Sequence, residues 1–240
     1  MGPGLAQTPR LTRVDSRERV DLHVKGFRVL LLSFVALLAV AVVGRAGTGK
    51  PEKVEFNAAD QAAARAATLR RGDLGAGTWQ GGAVKPDLSA PPSCPNYTVD
   101  LSRFVLTGAA ETRWLSAPFL VDSEAEVLQT AQMVRQEWRI QIQAPGAIAC
   151  LRTQLAKGLA PQGATLVSFR RVPFPRLAPY TAAFRVVASA QGTRVVVEVV
   201  LLGRGRTEVS VTVLGPAAQQ PQIAAAAARY ARILAGRIKA

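Results

Sequence analysis

Residues 180–214, YTAAFRVVASAQGTRVVVEVVLLGRGRTEVSVTVL, are dense in β-branched side chains and are broken only at Gln191-Gly192 and at a Gly-Arg-Gly stretch. Such a run is at home on a pleated, half-buried surface and leaves few folds open. It reads as an antiparallel meander with strands at about 180–190, 194–202 and 206–214, preceded by another at about 164–172. A two-residue turn at Gln191-Gly192 sets Ala182, Phe184, Val186 and Ala188 opposite Leu201, Val199, Val197 and Val195, because side chains alternate with period two. On the other face it sets Arg185 opposite Glu198, a pair worth a few tenths of a kcal/mol whose value lies in fixing register. A three-residue loop, Gly203-Arg204-Gly205, would then pair Val195, Val197 and Val199 with Val213, Val211 and Val209.

That register leaves Val187, Val196, Val200 and Leu202 on the opposite face, beside Arg185 and Glu198. Two readings follow. A helix or the Pro-rich loop covers them, or they form an exposed groove for a lipid, peptide or protein partner.

Helical periodicity brackets the meander. A short helix is expected over 58–71, with Asn57 as cap and Gly72 as stop. The Gly/Pro/Ser-rich stretch 73–97 reads as loop, and 102–121 as two strands. Ser123-Glu-Ala-Glu126 has the form of a capping box, and Val127, Ala131, Val134 and Trp138 continue it as the buried stripe of a helix. Asp122, Glu124 and Glu126 would then sit at a helix N-terminus, offsetting its dipole. Further helices are expected over 146–159, with Ile148, Leu151, Leu155 and Leu159 inward, and over 221–237, with Ile223, Ala227, Tyr230 and Leu234 inward. Arg229, Arg232 and Arg237 would form a solvated face.

Upstream, residues 29–43 carry no charge, and Arg28 and Arg45 bound them. The 18 residues Phe27–Gly44 reach the short end of a membrane span, with both arginines able to snorkel. The basic flank before them orients the N-terminus inward and the rest outward. The run is either an uncleaved anchor or the h-region of a signal peptide, with Ala39-Val40-Ala41 as a small-x-small cleavage site.

The octet GRAGTGKP (44–51) imitates a phosphate-binding loop. Pro51 stands where a Mg²⁺-holding hydroxyl is needed, removes a backbone N–H and disfavours helical backbone at Lys50. No nucleotide is expected there.

Outside the membrane Cys94 and Cys150 are expected to form a disulfide, tying the Pro-rich loop to the 146–159 helix. Closing that loop restricts the unfolded chain by roughly 4 kcal/mol. The single histidine, His23, precedes the apolar run, and no GxSxG, SxxK, HExxH or CxxC occurs. Catalysis, metal and cofactor are therefore not expected. Residues after 45 carry 23 Lys and Arg against 13 Asp and Glu, which reads as an ordinary solvated surface or, for an exported domain, as a face for envelope lipid headgroups, anionic polymers or acidic proteins rather than nucleic acid.

DLGAGTW (73–79), SCP (93–95), SEAEVLQTAQMVRQEW (123–138) and PFPR (173–176) lead into the Val-rich meander. Together they resemble the exported Ala- and Arg-rich domains of uncharacterised actinobacterial membrane proteins and lipoproteins. They are also loosely similar to the extracellular sensor domains of actinobacterial membrane Ser/Thr kinases. The resemblance implies an envelope domain and transfers no binding residue.

The expected protein has a cytosolic basic tail (1–26), a transmembrane helix (27–44), a linker (45–56) and an extracytoplasmic α+β domain (57–240). In that domain an antiparallel sheet of about 5–6 strands, ending in the meander, is packed by helices. The expected function is non-catalytic binding or sensing at the envelope. A secreted or anchored envelope hydrolase using carboxylates is the alternative.

Overall fold

The computed structural model of the protein describes residues 49–89 and 93–239. The tail, the anchor or signal segment and most of the GRAGTGKP octet lie outside the described residues. Among those described, no helix is long and apolar enough to cross a membrane.

The chain is α+β. Twelve elements follow in order: β1 (Lys53–Val54), α1 (Ala58–Ala67), β2 (Gln80–Val84), β3 (Val105–Ser116), β4 (Phe119–Leu128), α2 (Ala131–Trp138), α3 (Pro145–Leu159), β5 (Ala164–Arg171), β6 (Tyr180–Ala190), β7 (Thr193–Arg204), β8 (Thr207–Pro216) and α4 (Gln220–Arg237). They build one eight-stranded sheet in the order β1-β3-β4-β8-β7-β6-β5, with β2 also on β3. Every pairing is antiparallel except β1 with β3, so the sheet is mixed and larger than the 5–6 antiparallel strands expected. The two added strands come from stretches read as linker and as loop. Both are short segments that borrow the long edge of β3. Lys50 is drawn in with them: its N–H donates to the Val99 carbonyl and its Nζ meets Asp100 at 3.0 Å.

The β6–β7 hairpin closes as the sequence indicates, with Arg185 opposite Glu198 and Val186 opposite Val197. The β7–β8 hairpin does not. Its turn is the two residues Gly205-Arg206, with Arg204 opposite Thr207, Leu202 opposite Val209, and Val200 opposite Val211. This shift turns Val209, Val211 and Val213 away from Val195, Val197 and Val199 and onto the face of Val196, Val200 and Leu202. Gly205, at φ +57°, supplies the left-handed first position of a Gly-X hairpin turn.

The face so formed is the main core. Val196, Val200, Leu202, Val209, Val211 and Val213 pack there against Ile223, Ala227, Tyr230 and Leu234 of α4 and Ala64 and Ala67 of α1. The stripe of α4 is the one its periodicity predicts. Its arginines are not a free face, however. Arg237 donates to the Thr68 carbonyl (2.6 Å) and pairs with Asp73 (2.7 Å), and Arg229 donates to the Leu74 carbonyl (3.0 Å), leaving Arg232 exposed.

Helix α1 starts as expected, with Asn57 Oδ1 accepting from the Asp60 N–H at 2.9 Å. It stops at Ala67, earlier than Gly72, because Leu69 is drawn into the core and its carbonyl accepts from Thr112 Oγ1. Gly108 lets α1 lie directly on β3, since a Cβ there would stand 2.4 Å from the Asp60 carbonyl.

The largest departure is at 119–128. SEAE is not a helix start but the middle of β4. Val121, Ser123, Ala125 and Val127 alternate inward toward α1 and α4, and Asp122, Glu124 and Glu126 alternate outward to the opposite face. A long partner on each side, β3 and β8, offers more backbone pairing than an isolated first turn of helix. The helix begins later, where Thr130 Oγ1 accepts from the Met133 N–H at 3.2 Å.

Candidate functional site

The second face of the sheet is divided. On β6 and β7 it is apolar: Phe184, Val186, Val197, Val199 and Leu201. On β3, β4 and β8 the same face carries Glu111, Arg113, Asp122, Glu124, Glu126, Glu208 and Ser210. Helices α2 and α3, joined by a π-helical turn at Arg139–Gln143, cross over both halves without filling the space beneath. A cavity of about 350 Å³ remains. Trp138, Leu155, Phe184, Val197, Val199 and Leu201 line its apolar part, and Glu124, Glu126, Glu137 and Glu208 its acidic part.

Cys94 and Cys150 form the expected disulfide, with Cα atoms 5.6 Å apart. A disulfide belongs to an oxidising, extracytoplasmic environment. Cys150 itself is buried, because the bridged loop lies over it. The Tyr97 hydroxyl donates to the Ile140 carbonyl, and the Gln154 side chain donates to the Ser93 carbonyl. The loop thus closes one rim of the cavity, which Tyr97 and Cys150 both line.

The acidic half contains two clusters with different surroundings. In the first, Glu111, Asp122 and Glu124 surround Arg113, which reaches Glu111 at 2.6 Å and Asp122 at 2.8 Å. Burial, with the charges of Asp122 and Glu124 added, lifts Glu111 to about 7. Burial, then Asp122, lifts Glu124 to about 7, and Ser210 Oγ at 3.3 Å only partly offsets this. Burial also raises Asp122 against the pull of Arg113.

In the second cluster, Glu126, Glu137 and Glu208 bring carboxylate oxygens within 4.8 Å of one another. Their groups are pushed well above the usual carboxylate range, first by burial and then by each other and Glu52. Glu52 is itself raised by burial. None of the ion pairs among the described residues involves these glutamates.

The residues singled out from sequence for partner binding lie elsewhere. Val196, Val200 and Leu202 are at most 2% exposed and Val187 is half-buried, all within the core under α4. Of the two readings of this face, the covering helix holds and the exposed groove does not, because the shifted β8 completes an apolar face that α4 must bury. Arg185 and Glu198 pair as anticipated, but Glu198 is buried and Arg185 nearly so. The carboxylates that do line a cavity went unrecognised as a wall. Strict alternation at Asp122, Glu124 and Glu126, followed by Glu208 and Ser210 on a second strand, was the signal that could have found them.

No protein-family model matches this sequence, and no curated protein does. Among solved structures, an uncharacterised protein from Mycobacterium smegmatis is similar at a TM-score of 0.40 and 13% identity, over 75% of this chain and 98% of that one. A likeness this slight carries no functional argument and shows nothing of the similarity to kinase sensor domains.

Proposed function

We propose that this chain is a non-catalytic binding domain held at the outer face of the plasma membrane by residues 27–44. Its cavity between α2–α3 and the sheet takes the apolar body of a small envelope molecule. The cavity carries this reading: about 350 Å³, walled by Trp138, Leu155, Phe184, Val197, Val199 and Leu201 on packed elements. Pockets of that size with apolar walls and a few polar groups at one end are the usual form of small-molecule sites. Four carboxylates at that end disfavour an anionic head and suit a neutral or cationic one.

Displacement of the apolar fluorophore N-phenyl-naphthylamine by extracted envelope lipids tests the site. Saturable uptake by the wild type, lost in the cavity-filling Val199→Trp while the variant stays folded, is expected. Equal uptake by both would refute the cavity. Alkaline carbonate extraction of native membranes, with intact mass of the retained protein, tests the anchor: full-length protein in the pellet supports it, and mature protein in the supernatant points to a cleaved signal.

One observation favours a second reading, a hydrolase working through carboxylates. Glu124, held at about 7 on the cavity wall, could keep a proton for general acid catalysis at neutral pH. Turnover of envelope glycans or esters that disappears in Glu124→Gln would establish it; an inert wild type would end it.

A further inference from the structure

We propose that Glu126, Glu137 and Glu208 form a binding site for a hard divalent cation, with Ca²⁺ as the best fit. The three residues come from β4, α2 and β8, so the tertiary fold assembles the site across 82 positions of sequence from Glu126 to Glu208. One oxygen of each lies within 4.8 Å of the others. Ca²⁺ holds its oxygens at about 2.4 Å, so ligands on opposite sides of one ion stand about 4.8 Å apart, and this trio can close on it without moving backbone. The donors are carboxylate oxygens with no sulfur or imidazole, the chemistry of Ca²⁺, Mg²⁺ and Mn²⁺ rather than of softer metals.

A second observation points to a missing ligand. Glu137 is 2% exposed, yet its Oε2 has no hydrogen-bond partner. Its other oxygen accepts from Gln141 Nε2 at 2.5 Å, which holds the carboxylate in place beside Glu126 and Glu208. Glu208 Oε1 is likewise buried and unpartnered. Unsatisfied buried oxygens are costly and are rare in native proteins without a reason.

The neighbouring acidic cluster on the same sheet face, where Glu111 Oε2 is also buried without a hydrogen-bond partner, differs in holding its own cation. Glu111, Asp122 and Glu124 are arranged around the guanidinium of Arg113. Glu126, Glu137 and Glu208 have no such cation among the described residues, and Glu52 adds a fourth negative group nearby. A protein that places an arginine in one cluster and none in the other leaves the second for a positive charge from outside.

Trp138 follows Glu137 and lines the same cavity, so Tb³⁺, a luminescent substitute for Ca²⁺, can be excited through it. With the full chain in detergent, Trp-sensitised Tb³⁺ emission is expected, displaced by CaCl₂ and less effectively by MgCl₂. Glu137→Gln and Glu208→Gln should each weaken binding roughly tenfold or more, since affinity follows the number of charged ligands. Glu111→Gln should leave it unchanged. Hexylammonium chloride tests the rival occupant, an organic ammonium head. No sensitised emission with folded wild type, unchanged binding in both Gln variants, or displacement by hexylammonium but not by CaCl₂ would each overturn the site. The Tb³⁺ and CaCl₂ measurements use no apolar ligand, so their failure leaves the cavity reading standing, and the fluorophore assay can fail without touching this one.

Discussion

The two hairpins of the C-terminal meander are built from similar residues and close in different ways. In β6–β7 the turn residues Gln191 and Gly192 both have positive φ (+49° and +78°), and the strands keep Val195, Val197 and Val199 facing the β6 residues Ala188, Val186 and Phe184. In β7–β8 the glycine comes first, at Gly205, and Gly203 stays inside β7 with Glu208 opposite. Gly203 packs closely there, its position for a Cβ 3.2 Å from Tyr180 and 3.4 Å from Val134. Moving the turn by this small amount inverts β8. Its valines join the core under α4, and Glu208 and Ser210 come to face the cavity. A three-residue difference in register, which is an odd number, thus decides both what is buried and where the carboxylates converge.

The strongest test of this comparison is a charge on each side of β7. Val200→Asp places an unpaired carboxylate under α4 and should cost about 4 kcal/mol or more, abolishing cooperative urea unfolding. Val199→Asp, on the cavity wall, should cost less than about half as much. Equal losses would mean the faces are assigned wrongly.

Next in size is the ion pair that the first hairpin fixes. Arg185→Met leaves Glu198, only 4% exposed, without its partner and should cost about 3 kcal/mol, where an exposed pair would cost a few tenths. Arg185→Met with Glu198→Met should recover most of that loss in denaturant titration. A double variant as unstable as the single would show that packing, not charge, holds the two strands in step.

The acidic half of the cavity face makes a pH-dependent contribution. Burial raises Glu111 from 4.5 to about 7, so the folded state binds its proton more tightly than the unfolded state does. The contribution of Glu111 to stability therefore falls as pH rises from about 4.5 to 7 and is level above that. Glu111→Gln should remove up to about 3 kcal/mol of that slope in thermal melts taken across the window. An unchanged slope would place the titration elsewhere.

The smallest effects belong to the turns themselves. Gly205→Ala forces a side chain into φ +57° and should cost about 1 kcal/mol, whereas Gln191→Gly relieves φ +49° and should gain about 0.5 kcal/mol. Opposite shifts in Tm would confirm that the two turns rest on different positions.

Much of the fold could be read along the chain because local pattern and tertiary outcome agree there. The α4 stripe of Ile223, Ala227, Tyr230 and Leu234, the Asn57 cap, the 145–159 helix and the β6–β7 register all follow from periodicity and turn chemistry within a few residues. The candidate site could not be read in this way. SEAE satisfies a helix-start pattern and a strand alternation equally well, and only the presence of β3 and β8 on either side decides for the strand. Strand β1 is too short, and β2 too Gly-rich, to announce itself without the β3 edge.

The amino-acid sequence by itself determined an α+β chain with a Val-rich meander, a C-terminal amphipathic helix and a cysteine pair suited to bridging. These rest on contacts close in sequence or on one covalent bond. Only the tertiary structure decided which face of the meander α4 buries, that β4 is a strand, and that glutamates from β4, α2 and β8 meet. Such outcomes depend on long-range pairing. There an odd shift of register outweighs local propensity, because it moves every side chain of a strand from one side of the sheet to the other.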